Sequence, residues 1–346
     1  MSLDRPSGSD LDGAAQLLAS ARARISAAAA DLERPAALRL TDWQRTTLSA
    51  MLERLVGSIE DELRSALLTR LPDAPEALLA ALSSAQVPLA RPILDRGSAL
   101  QQPALVSALL RRAEEHRLRR VQGSDQPLLL ELSGDADPDV AAAAMAVLIG
   151  QTGRRDAFDE PLLPREDLRA ELAHDLVWAV AAALRVSLTT RHGLDAGTAD
   201  AALAALAGDI LARSDEGDGF DSKCARLVLA LRSAGRLERG LLVRGVGEGH
   251  LSLFLAGVAA EASLDVDAVW EIYCAASGAG LPLLLRAAGF SREEAAGALL
   301  ALQQSEQQLA SQLDRIEGIA PAQAAGWTAL WRADPVYRST LAELIA

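Results

Sequence analysis

Apolar residues recur at three- and four-residue steps along almost the whole chain, and no strand-like alternation competes with them. In "LTDWQRTTLSAMLERLVGSIEDELRSALLTRL", Leu48, Leu52, Leu55, Ile59, Leu63 and Leu67 form such a stripe. Thr41 or Asp42 is the expected cap, and Pro72 ends the helix. Shorter helices follow, each with proline at or near its start, where the missing N–H is not needed. In "LLLELSGDADPDVAAAAMAVL" one helix ends at Gly134, Asp135, Asp137 and Pro138 make a turn, and Val140, Met145 and Leu148 restart the stripe. An Asp-x-Asp-Pro-x-Val turn of this kind joins the paired helices of HEAT-type repeats, and the spacing of starts from Pro75 fits pairs of about 40 residues. The expected fold is all-α: HEAT-like helical-hairpin repeats forming an α-solenoid, followed by a C-terminal helical subdomain.

The same pattern divides the chain. Residues 1–13, rich in Ser, Gly and Asp, read as a disordered tail, and 14–31 as an outer Ala-rich helix. Residues 14–150 then hold the N-terminal helices and repeats, 151–166 a polar, proline-containing linker, and 167–346 a C-terminal helical domain. There the stripe of Leu299, Leu302, Leu309, Leu313 and Ile316 reads as one helix over 291–317, able to cover the subdomain or to pair with a copy of itself as a homodimer. The tail places Trp327, Leu330 and Trp331 on one face of a closing helix.

Two zones resemble a known family. "LERLVGSIEDELRSALLTRLPDAPEALLAALSSAQVPLARPIL" (52–94) carries Val87, Ala90, Pro92, Ile93 and Leu94 in a V-x-x-A-x-P-I-L pattern. "GRLERGLLVRGVGEGHLSLFLAGVAAEASLDVDAVWEIYCAASGAGLPLLLRAAGF" (235–290) runs from a leucine pair through a glycine turn and Phe254 to a G-x-x-x-L-x-R-A-A-G close. Together they resemble the alphaproteobacterial proteins called domain of unknown function 2336, whereas residues 115–165 depart from that pattern. The resemblance implies a helical, HEAT-like fold and supplies no activity.

Composition narrows the function. Half of the residues are apolar but only 3% aromatic, and the net charge is −13, from 47 acidic and 34 basic residues. An acidic chain repels polyphosphate backbones, so nucleic acid is an unfavoured partner. No apolar window was found to approach the roughly 20 residues that span a bilayer, and the start of the chain is polar, which points to a cytoplasmic protein. Cys224 and Cys274 sit in helical patterns and read as buried free thiols.

Candidate chemistry is sparse. His116, His174, His192 and His250 are never three or four residues apart, and neither cysteine belongs to a Cys-x-x-Cys, so neither a metal site nor a cofactor is expected. "SDEGDGFDS" (214–222) reads as an inter-helix loop rather than a calcium loop. "RGVGEGH" (244–250) could be a phosphate loop, but no strand precedes it. A helix ending at Gly245 or Gly247, with Glu248 facing the dipole of the following helix, is the preferred reading. In "RRAEEHRLRR", Arg112, Glu115, His116 and Arg119 share one side of a helix, either a solvated face or a ridge where an acidic partner, or phosphate, docks. A non-enzymatic protein–protein interaction or adaptor role is therefore expected. A small-ligand sensor with an apolar pocket between the C-terminal helices, near Trp270 and Tyr273, is the alternative, and a HEAT-like enzyme acting on nucleic acid comes behind it.

Overall fold

Capping residues and prolines set where the helices of this computed structural model begin. It describes residues 40–345 apart from 73, 85–86, 123–126, 214, 275–279 and 303–305, so the expected tail at 1–13 and helix at 14–31 lie outside the described residues. Helix α1 (Asp42–Arg70) is opened by Thr41. Its hydroxyl accepts the Gln44 N–H at 3.2 Å, and Gln44 Oε1 accepts the Thr41 N–H at 2.9 Å, a reciprocal cap. The α1 stripe is buried at Leu48, Leu55, Ile59, Leu63 and Leu67, joined by Met51 and Val56, while Leu52 stays half-buried at its edge. Proline directly precedes α2 (Glu76–Ser83), stands second in α3 (Arg91–Leu94), and stands first in α4 (Pro103–Gln122), α5 (Pro127–Ser133) and α6 (Pro138–Thr152). Asp137 caps α6 by accepting the Asp139 N–H at 2.9 Å, as the Asp-Pro turn implied.

Two charged residues interrupt the buried side of α1 and hold the chain that follows. Glu60 and Arg64 are 2% and 3% exposed and pair at 3.0 Å. The carboxylate accepts the backbone N–H groups of Leu89 and Ala90, and the guanidinium donates to the carbonyls of Ala81, Leu82, Ser84 and Val87. Backbone polar groups in this connection thus find partners in side chains instead of water.

Helices α7 (Ala170–His192) and α8 (Ala196–Ala212) pack together across a turn made by Gly193, at φ +67°, and capped by Asp195. Helix α9 (Phe220–Ser233) packs on α6, so α5, α6 and α9 enclose one core together with Leu253 and Ala256. A second core is built by α10 (Arg239–Gly247), α11 (Leu251–Ala262), α12 (Val266–Tyr273), α13 (Gly280–Ala287), α14 (Arg292–Ala301), α15 (Glu306–Gly318) and α16 (Pro321–Thr328), with Leu118 of α4. Helix α17 (Pro335–Ile345) follows.

Helix α11 is the wall shared by the two cores. Leu253 and Ala256 face one, and Leu251, Phe254, Leu255 and Val258 face the other. A helix apolar on all sides is stable only when enclosed, and the run "LSLFLAGVAA" meets that condition. Gly257 lets α10 approach closely, since a Cβ there would lie 2.2 Å from Cδ2 of Leu242.

Several expectations change. The stripe at 291–317 belongs to two helices, α14 and α15, and Leu302 stands outside both. Leu299, Leu302 and Ile316 all enter the second core. The closing segment breaks into α16, a 3₁₀ turn at Leu330–Arg332 and α17; Trp331 packs against the second core while Leu330 is exposed. Cys224 is buried as expected, but Cys274 is exposed, because it follows the last residue of α12 instead of sitting within its apolar stripe. By length and composition alone, α7 is long and apolar enough to cross a membrane, against the expectation that no window approaches that length; 56% of that stretch is buried in the fold. Residues 46–346 form one compact unit, and segment 151–166 lies within it, with Gln151, Arg154 and Leu163 buried. Among the described residues no strand forms, only an isolated bridge between Arg155 and Pro161.

Candidate functional site

Helix α4 carries two different flanks. Arg112, Glu115 and His116 do share one side, as their spacing requires, but they are 5%, 6% and 1% exposed and offer no docking ridge. The reason is the chain from 151 to 167, which folds over them. Arg154 Nη1 lies 2.6 Å from Glu115 Oε2, its Nε lies 2.8 Å from Asp167 Oδ2, and its guanidinium sits 3.9 Å above the Phe220 ring. Arg112 donates to the carbonyls of Leu162 and Arg154, and Asp167 accepts the Phe220 N–H at the start of α9. Half-buried Arg119 donates to Gln151 Oε1, whose amide nitrogen lies 3.2 Å from Nδ1 of buried His250.

Low polarity and crowding tune these groups. Burial, with Arg154 nearby, lowers Arg112 to about 9. Burial acts to raise Glu115, but Arg154 and Arg112 outweigh it and hold the carboxyl below its ordinary range. Burial lowers His116 and His250 to about 4, so both rings are neutral at pH 7. Among the described residues, neither ring nitrogen of His116 has a hydrogen-bond partner. His174 Nδ1 lies 3.4 Å from Asp175 Oδ1 on the surface.

The glycine stretch is structural. Helix α10 continues through Gly245 and ends at Gly247, and Gly249, at φ +82°, makes the turn. A Cβ on Gly249 would lie 2.8 Å from the Arg119 Cα, so only glycine lets the elbow rest on α4. The N–H groups of Glu248, Gly249 and His250 bond to the carbonyls of Arg244, Val246 and Gly245, leaving none of the three to cradle a phosphate. Glu248 does serve a helix N-terminus, but that of α5 instead of the following α11: its carboxylate accepts the Leu128 N–H at 2.9 Å. The acid-rich loop at 214–222 is likewise used internally. Asp215 caps a short 3₁₀ turn, the Asp218 carbonyl accepts from Lys223, and Asp221 pairs with Arg111.

Among the described residues, the other flank of α4 is left open. Ala104, Ser107, Ala108 and Arg111, at i, i+3, i+4 and i+7, line a cleft of about 480 Å³. Leu168, Arg169 and Leu172 form its facing side, and Asp267, Trp270 and Glu271 of α12 close it. The Trp270 indole donates to Ser107 Oγ at 3.1 Å and stacks on Tyr273, with ring centroids 5.3 Å apart. Tyr273 in turn donates to Glu114. Arg111 bridges Asp221 and Asp267, and Arg169 reaches Asp267 at 3.3 Å. Sequence reasoning looked for an apolar pocket between the C-terminal helices near Trp270 and Tyr273; it did not anticipate that α4, through small residues at helical spacing, supplies the wall opposite Trp270. Its lining supplies apolar surface and charge, and the Ser107 oxygen is occupied by an indole instead of a base. Cys224 is far from reactive: burial, with Asp221 and Glu115 nearby, pushes its thiol well up. Among the described residues, no three His, Cys, Asp or Glu side chains are grouped so as to hold a metal ion.

An all-helical protein with a charged interior and a cleft beside α4 is the class these features define. The chain belongs to the bacterial family called domain of unknown function 2336, described as an uncharacterised protein conserved in bacteria, which matches residues 121–325. The match takes in most of the 115–165 stretch and reaches α16, and it does not include the zone at 52–94. No curated protein and no solved structure matches the chain.

Proposed function

We propose that this is a non-enzymatic interaction protein, an adaptor or regulator, whose partner docks in the cleft between α4, the start of α7, and α12. The observation that carries this reading is the composition of the cleft wall: apolar side chains and paired charges, with neither histidine nor cysteine among them. Such a wall supplies contact area and orientation, which is binding chemistry. Pairs such as α5–α6, α7–α8 and α10–α11 pack through short turns, which supports a HEAT-like kinship, and proteins of that type bind other proteins along helix surfaces. The test is affinity capture from the source bacterium with the natural chain and with an Ala108→Trp variant that fills the cleft. The reading expects a partner retained by the first and lost by the second, with unfolding curves unchanged; capture unaffected by the variant refutes it.

A second reading, a small-ligand sensor, is favoured by one observation. The cleft volume of about 480 Å³ lies in the range of small-molecule sites, and Trp270 forms one wall. Thermal shifts over a metabolite collection, abolished by Ala108→Trp, would select it over a protein partner.

A further inference from the structure

Resting on the reading that a partner docks in this cleft, we propose that it takes a short protein segment in which an apolar side chain stands beside one or more arginine or lysine residues. The apolar half of the match comes from Ala104, Ala108, Leu172 and Trp270. The charged half comes from the neighbouring space: a second cleft of about 460 Å³ adjoins the first and shares Arg111, Asp167, Leu168, Arg169 and Asp267 with it. Seven carboxylates and only two guanidinium groups line the two together.

Both of those guanidinium groups are already turned onto Asp267, and Arg338, beyond the lining, pairs with Asp265 and Glu271 at 3.4 and 3.5 Å. Accepting oxygens therefore dominate what an incoming chain meets. The side chains of Asp267 and Glu271 are 42% and 52% exposed, so they retain room for a further donor. A cationic segment complements this rim, whereas an acidic peptide, a nucleic acid or an anionic lipid surface is repelled by it and by a net charge of −13.

A random 12-residue peptide library displayed on phage, panned on the full chain at low salt, tests the assignment. Enriched peptides are then synthesised and their affinity measured by fluorescence anisotropy. Sequences pairing apolar with basic residues are expected. Their affinity should fall roughly tenfold between low and high salt, fall several-fold with Glu171→Gln combined with Glu271→Gln, and vanish with Ala108→Trp. Ala104→Arg, at an exposed position, serves the same purpose should the tryptophan variant fail to fold. No enrichment, enrichment of acidic or purely apolar sequences, or binding indifferent to salt and to the glutamine changes overturns the inference. Peptides that are lost on filling the cleft but ignore charge overturn only this assignment of chemistry. Peptides untouched by filling overturn the docking site itself.

Discussion

Arg154 and Glu115 meet at 2.6 Å with each side chain 8% exposed, joining the segment after α6 to the middle of α4. Removing one member of a buried pair leaves the other charge without compensation, at about 3–5 kcal/mol. Glu115→Gln and Arg154→Met are each expected to destabilise the fold by that order. The double variant should lose clearly less than the sum, because the two groups act as a unit. Urea unfolding of the four proteins checks this, and strict additivity would contradict it.

Acid should weaken the fold in two overlapping stages. His116 and His250 are lowered from 6.5 to about 4, so the unfolded chain takes up their protons first. Stability is complete above pH 6.5 and falls as the pH drops toward 4, by up to roughly 3 kcal/mol per histidine. Glu115, held below its ordinary 4.5, adds a loss that starts near that value and continues as the pH falls through its folded pKa. The groups facing these sites are Arg112, Arg120, Arg155 and Asp159 for His116, and Glu115, Arg119, Gln151 and Glu248 for His250. His116→Leu should flatten the stability profile between pH 6.5 and 4 while changing little at pH 7; an unchanged slope would count against a neutral buried ring.

Two glycines should resist even alanine. Gly249→Ala combines a positive φ with a clash against the Arg119 backbone, and Gly257→Ala drives a methyl into Leu242. Overpacking of this kind costs about 1–3 kcal/mol, with Gly249→Ala the more severe because backbone cannot repack. Gly208 and Gly240, which have open space around the added carbon, provide the comparison. Thermal melting of the four alanine variants should separate them into two groups.

How far the fold was legible varies by element. The α1 stripe and the proline starts were readable because helical period and capping act locally. The charged side of α4 was not, since i,i+3 and i,i+4 charges look the same on a solvated face and in a buried network. What decides between them is Arg154, some 40 residues on, arriving with a carboxylate-matched guanidinium. The break between α14 and α15 was hidden by an apolar period that continues across it. Its start, by contrast, was signalled by Ser291 and Glu294, which form a capping box. Trp270 was singled out for a pocket, but the part of α4 in the cleft wall was not legible, because small residues such as Ala104 and Ala108 carry no signal until Trp270 is brought opposite them.

The most direct measurement is photo-crosslinking in living cells, with a photoreactive phenylalanine analogue placed at Ala104 in the cleft or at exposed Ala201 on α8. A docking cleft predicts a discrete adduct with another protein from position 104, weakened by Glu171→Gln with Glu271→Gln and absent from position 201. Equal adducts at the two positions, or none at 104, would contradict a partner-binding role for this cleft.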